Sequence, residues 1–138
     1  MGGFYNYANI QPYDYFSATL TASFGPADFY TAWGTSVSKH YGQYTIPNNF
    51  YCRFIMFVGV GDRTNGWIDA TSGNICHEVD DANSIFLMTT SGSAWLAGNT
   101  SNYDSTNHVI KPNSTIRIPA NTQNKTIQLV VCGYYQNS

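Results

Sequence analysis

Charge is what this sequence has least of: six basic and eight acidic residues among 138, for a net charge of −2 with the histidines neutral. Lys39, Arg53, Arg63, Lys111, Arg117 and Lys125 are scattered singly. No cationic stripe exists to neutralise a run of phosphates, so the sequence predicts no nucleic-acid partner. Long apolar runs are missing too. Nothing approaches the roughly 20 consecutive apolar residues of a membrane-spanning helix, and membrane insertion is not expected. The opening MGGFYNYANI lacks the basic-then-apolar order of a secretory signal. Cysteine is sparse: Cys52, Cys76 and Cys132 form no CxxC pair. Cys52 and Cys132 lie in apolar runs, where cysteine behaves as a small hydrophobe, and they are read as buried free thiols. A single Cys52–Cys132 bridge is the alternative.

Rings and uncharged polar groups fill the gap. Eleven tyrosines, eight phenylalanines and three tryptophans stand among many Asn, Ser and Thr residues. That balance describes a stiff, β-rich domain of extracellular type, whose surface works through amides, hydroxyls and rings. At 15.3 kDa the chain fits a single domain, residues 1–138, that buries roughly two thirds of its unfolded surface. Residues 1–14 read as an extended segment that would join a stalk.

No segment holds helical periodicity, and β-branched or aromatic residues dominate the apolar stretches. Strands are predicted at 15–24, 29–37, 50–60, 66–70, 74–79, 84–90, 93–97, 114–119 and 126–135. Turn signals separate them, among them Gly25-Pro26, Asn65-Gly66, Ser91-Gly92 and Pro112-Asn113. Pro26 could also open a short helical turn toward Tyr30. Eight or nine short strands at this spacing predict an antiparallel β-sandwich of jelly-roll type.

Strict alternation along 50–60 puts Phe50, Cys52, Phe54, Met56, Val58 and Val60 on a core face, with Tyr51, Arg53, Ile55 and Phe57 opposite. The last strand sets Ile127, Leu129, Val131 and Tyr135 against Val130, Cys132 and Tyr134. Both strands are too apolar on their second faces to meet water, so a further cover is expected, and an identical chain is the favoured one.

Catalytic patterns are absent. The nucleophile elbow GxSxG does not occur, and His40, His77 and His108 fall in separate elements. The acids Asp69, Glu78, Asp80, Asp81 and Asp104 could in principle supply a carboxylate pair for glycoside cleavage, but any eight acids in a β domain offer such pairs, so they carry almost no signal. No enzyme is predicted. Cys76 and His77 are adjacent in a strand and point to opposite faces, which argues against zinc. Asp80, Asp81 and Asn83 could offer oxygens to Ca²⁺, but they read as a hairpin turn without EF-hand spacing, and no cofactor is predicted.

What remains is recognition. Sugars present apolar C–H faces flanked by hydroxyls, so their sites join a flat ring to directional amides and charges. Two turn regions offer that chemistry. One brings Asp62, Arg63 and Asn65 up to Trp67; the other runs from Trp95 through Asn99, Asn102, Tyr103 and Asp104. The second is the favoured site, since a long polar connection on a rigid β frame often carries function. Whether Trp67 and Trp95 are platform or core stays open at this point. Trp33, His40, Tyr41 and Tyr44 read as cement between protomers, an exposed platform being the alternative.

The closing stretch, residues 111–138, runs KPNSTIRIPANTQNKTIQLVVCGYYQNS: a strand, a polar Pro-Ala-Asn-Thr connection, a strand, then an aromatic pair. It resembles the C-terminal strands of receptor-binding tip or head domains of bacteriophage tail fibres and related trimeric adhesins. The resemblance covers this stretch; the rest of the chain shares composition and strand rhythm. It implies a homotrimer that binds a cell-surface glycan or other receptor without catalysis, as part of a virion or an extracellular fibre. A free-standing lectin and a structural capsid or appendage subunit are the alternatives.

Overall fold

The computed structural model describes residues 13–30, 36–61, 64–70, 74–79, 85–89, 103–104, 106–120 and 122–136. Eleven strands occur among them: β1 (Asp14–Thr21), β2 (Phe24–Tyr30), β3 (Ser36–Thr45), β4 (Phe50–Gly59), β5 (Thr64–Asp69), β6 (Asn74–Val79), β7 (Ile85–Thr89), β8 (Tyr103–Asp104), β9 (Val109–Ile110), β10 (Thr115–Pro119) and β11 (Thr126–Tyr135). The all-β sandwich read from the sequence is what the chain forms. Its larger sheet runs β1-β11-β4-β5-β6-β7, with β9 pairing β4 below the end of β5 and β8 pairing β9. The smaller runs β10-β3-β2. Every pairing is antiparallel.

Three local expectations are corrected. Pro26 begins no helical turn: Gly25 and Pro26 sit inside β2 at a break in its register with β3. Asn65-Gly66 is no turn either, because both residues pair with β4 inside β5. The stretch 36–45, of which only 36–37 fell in a predicted strand and the rest was read as an aromatic group, is a full strand. Tyr41 and Tyr44 are three residues apart on it and so face opposite ways. Tyr41 is buried, with Phe24 stacked at 6.0 Å and the Arg117 guanidinium 4.8 Å from its ring centre. Trp33 and the predicted strand 93–97 lie outside the described residues.

The core lies between the sheets. Phe29, Ile46, Phe50, Ile55, Phe57, Ile68, Ile110 and Ile116 are its largest fully buried side chains, each stabilising the fold by roughly 1.5–3 kcal/mol on burial. From β1, Phe16, Ala18 and Leu20 pack inward, and Phe50 is held edge-on by Phe16 at 5.0 Å and Tyr135 at 4.9 Å. The two sheets lie close together where Gly42 of β3 meets Leu20 of β1: a methyl group on that glycine would sit 3.0 Å from the Leu20 side chain.

A β-bulge decides which residues enter this core. Gly133 pairs with Cys52 and Cys132 with Phe54, so Arg53 of β4 has no residue opposite it. One extra residue reverses the alternation beyond it. Phe50 and Cys52 point inward as expected, but Ile55 and Phe57 take the core positions, while Met56, Val58 and Val60 are 49%, 50% and 48% exposed. The core face predicted from strict alternation is therefore right before Arg53 and inverted after it. β11 keeps one phase throughout, burying Ile127, Leu129 and Val131.

Candidate functional site

The outward side of the larger sheet is a grid that the pairing registers define. Its first row is Tyr13 just ahead of β1, Tyr134 of β11 and Tyr51 of β4. The second holds Tyr15, Cys132, Phe54 and Asp69; the third, Ser17, Val130, Met56 and Trp67; the fourth, Thr19, Gln128, Val58 and Asn65. Rings thus gather at one end and apolar side chains in the middle, with the hydroxyls of Ser17 and Thr19 along the β1 edge and the amides of Gln128 and Asn65 in the fourth row.

Trp67 and Asn65 of the predicted set meet on this face. Burial alternates along β5: Thr64, Gly66 and Ile68 face inward, and Asn65 and Trp67 outward. Trp67 is 43% exposed, which answers the question left open by the sequence: it is a surface ring. Together with Phe54, Met56 and Val58 it walls a shallow groove of about 290 Å³. A flat ring, an amide two residues away and a thioether beside them form an apolar platform with a directional hydrogen-bonding group at its margin. A second shallow depression, about 310 Å³, lies across Met56 and Val58 from the first, between Ser17, Thr19, Gln128 and Val130.

Asp104 is held elsewhere. It sits in β8, part of a small hairpin that joins the larger sheet through Cys52 and Ile110. Its Oδ1 accepts the backbone N–H groups of Thr106 and Asn107, both at 3.0 Å, and its Oδ2 accepts the Asn107 side-chain amide at 2.8 Å. The Asn107 bonds, side chain first, hold the carboxyl below the usual carboxylate range. Asp104 therefore closes the turn that leads into β9. The connection read as one long polar loop contains this hairpin, which is why Tyr103 and Asp104 lie in a strand. Asp62, Arg63, Trp95, Asn99 and Asn102 lie outside the described residues, as do Asp80, Asp81 and Asn83. Among the described residues, no cluster of His, Cys, Asp and Glu is arranged to hold a metal ion. Cys52 and Cys132 are free thiols.

The tyrosine row was not singled out by sequence reasoning. The Tyr51 and Tyr134 rings stack at 5.5 Å with 12° between planes, and Tyr13 follows at 6.3 Å from Tyr134. Burial pushes the Tyr134 hydroxyl upward, opposed by the nearby Arg53. Both strands show tyrosine on their outward phase, and that was the available signal. Only the register places the two rings side by side.

No protein-family model matches the chain, and neither a curated protein nor a solved structure does.

Proposed function

We propose that this chain is a non-catalytic receptor-binding domain, the tip of a trimeric fibre or adhesin at a virion or cell surface, which takes a cell-surface glycan on the outward face of its larger sheet. The observation that carries this reading is the exposure of Trp67 beside Asn65 in a shallow groove. A large ring that could have served the core is instead turned to solvent, where it offers a stacking surface for sugar C–H groups. Such a groove binds weakly, and three copies on one axis raise the apparent affinity through effective concentration. The strip of Val58, Val60 and Val130 on the same face supplies apolar surface for contact between copies.

The test is a glycan array read with wild-type protein and with Trp67→Ala. Sugar binding that Trp67→Ala removes without changing the unfolding midpoint supports the reading, and retained binding in that variant overturns the assigned groove. Light scattering at micromolar protein tests the assembly: a monomer overturns the trimer and leaves a free-standing lectin. The apolar strip also favours a second reading, a structural subunit of a capsid or appendage. In that case the array stays blank while the protein still assembles.

A further inference from the structure

Among the described residues, the tyrosine row holds a cation, Arg53, whose Nε has no hydrogen-bond partner. Arg53 is the unopposed residue of the bulge, so no cross-strand neighbour dictates its side-chain position. Its guanidinium reaches to 6.0 Å from the centre of the Tyr13 ring, on the outward face. It makes no ion pair with any described residue, and that Nε is enclosed. Of the acids, Asp104 acts on the Tyr134 hydroxyl of this row. Three turn hydrogen bonds already engage both of its oxygens. Beside Arg53 stand three rings spanning β1, β11 and β4, and Tyr13 is 48% exposed.

Stacked rings next to a planar cation suit a ligand with an apolar ring face and an anionic substituent at its edge. The rings take the C–H face, and the guanidinium takes two oxygens of a carboxylate or sulfate in its planar fork. We propose that Tyr13, Tyr51, Tyr134 and Arg53 form a second ligand site that selects acidic saccharides, carrying a carboxylate or a sulfate ester, over neutral ones. This inference rests on the glycan-binding reading of the outward face, and it names the chemical class recognised at the opposite end of that face from Trp67.

The experiment is titration calorimetry of the full chain with three probes: a disaccharide containing glucuronic acid, its neutral glucose counterpart and a sulfated analogue. The expected result is tighter binding of an acidic probe by about tenfold over the neutral one, the size of one charge-assisted contact at a partly exposed site. Arg53→Gln should erase that preference, while Arg53→Lys keeps the attraction and loses most of the discrimination between carboxylate and sulfate geometry. Tyr13→Ala, ahead of β1 and outside the sheet ladder, should weaken all probes bound at this site and leaves the bulge untouched. Which acidic probe binds better tells the carboxylate source from the sulfate source. Equal binding of neutral and acidic probes, or a preference that survives Arg53→Gln, overturns the acidic-ligand site and leaves the Trp67 reading standing. No binding of any saccharide overturns both. Loss of the Arg53 effect together with a drop in oligomer mass in Tyr13→Ala overturns it in favour of a contact between copies.

Discussion

Gly133 passes directly beneath Tyr51: a methyl group on Gly133 would fall on the Tyr51 carbonyl oxygen and within 2.8 Å of the Phe50 ring. The close approach is where the β4–β11 ladder takes up the extra residue, and only a residue without a side chain allows it.

Gly133→Ala should therefore destabilise the protein. The backbone and the Phe50 ring must both give, and overpacking of this kind costs roughly 1–3 kcal/mol. Urea denaturation followed by far-ultraviolet circular dichroism measures it. An unchanged midpoint would mean that the two strands are not this close.

The bulge also reverses the ordinary expectation for two neighbours in β4. Met56→Lys should shift stability by no more than about 0.5 kcal/mol, because the side chain points to solvent. Phe57→Lys should cost at least about 3–5 kcal/mol, since it removes a buried ring and inserts a charge. Paired urea titrations distinguish this from strict alternation, which predicts the opposite order.

Alkaline pH should weaken the fold through two groups. Burial pushes the Cys52 thiol from 9.0 up to about 12 and the Tyr44 hydroxyl from 10.0 up to about 12. Well below pH 9 both groups are protonated in folded and unfolded chains alike, and their contribution is fully present. As pH rises from about 9 to 12 the unfolded chain releases these protons first, so stability falls across that window. Cys52→Ala should flatten the decline measured as the urea midpoint against pH. An identical slope in that variant would show that Cys52 is not held in its neutral form.

Acid should act on the Asp104 turn in the reverse sense. Its carboxyl is held below the usual value of 3.8, so its contribution is present above that value and fades as pH falls through the folded-state pKa. Asp104→Ala removes the acceptor altogether. Amide hydrogen exchange at Thr106 and Asn107 should then quicken selectively, while exchange in β11 stays slow; uniform protection in the variant would contradict the assigned hydrogen bonds.

Much of the architecture is legible in residue order. The strand bounds at 74–79 and 126–135 follow from runs of β-formers between turn residues, and the structure has both. Missed elements share a cause. β3 is mostly polar, with Ser36, Ser38, Lys39, His40, Gln43 and Thr45 around Val37, Tyr41 and Tyr44, so no apolar run marks it; Gly42 lies against Leu20 and Tyr41 is buried. β8 and β9 are two residues each, too short for any periodicity to register.

The candidate site divides the same way. Asn65 and Trp67 could be named in advance as an amide close to a ring in a turn region; their shared face comes from β5, where they lie two residues apart on one strand. The tyrosine row could not, because Tyr13, Tyr51 and Tyr134 come from three distant parts of the chain and meet only through the β1–β11–β4 registers.

The sequence by itself determined that this protein is a β-sandwich with few charges and many rings, because composition and local alternation act over a few residues at a time. Only the tertiary structure decided which of those rings face solvent. One unpaired residue at Arg53 inverts every side chain beyond it in β4, and a pairing offset between strands some eighty positions apart leaves no trace in the local pattern of either strand.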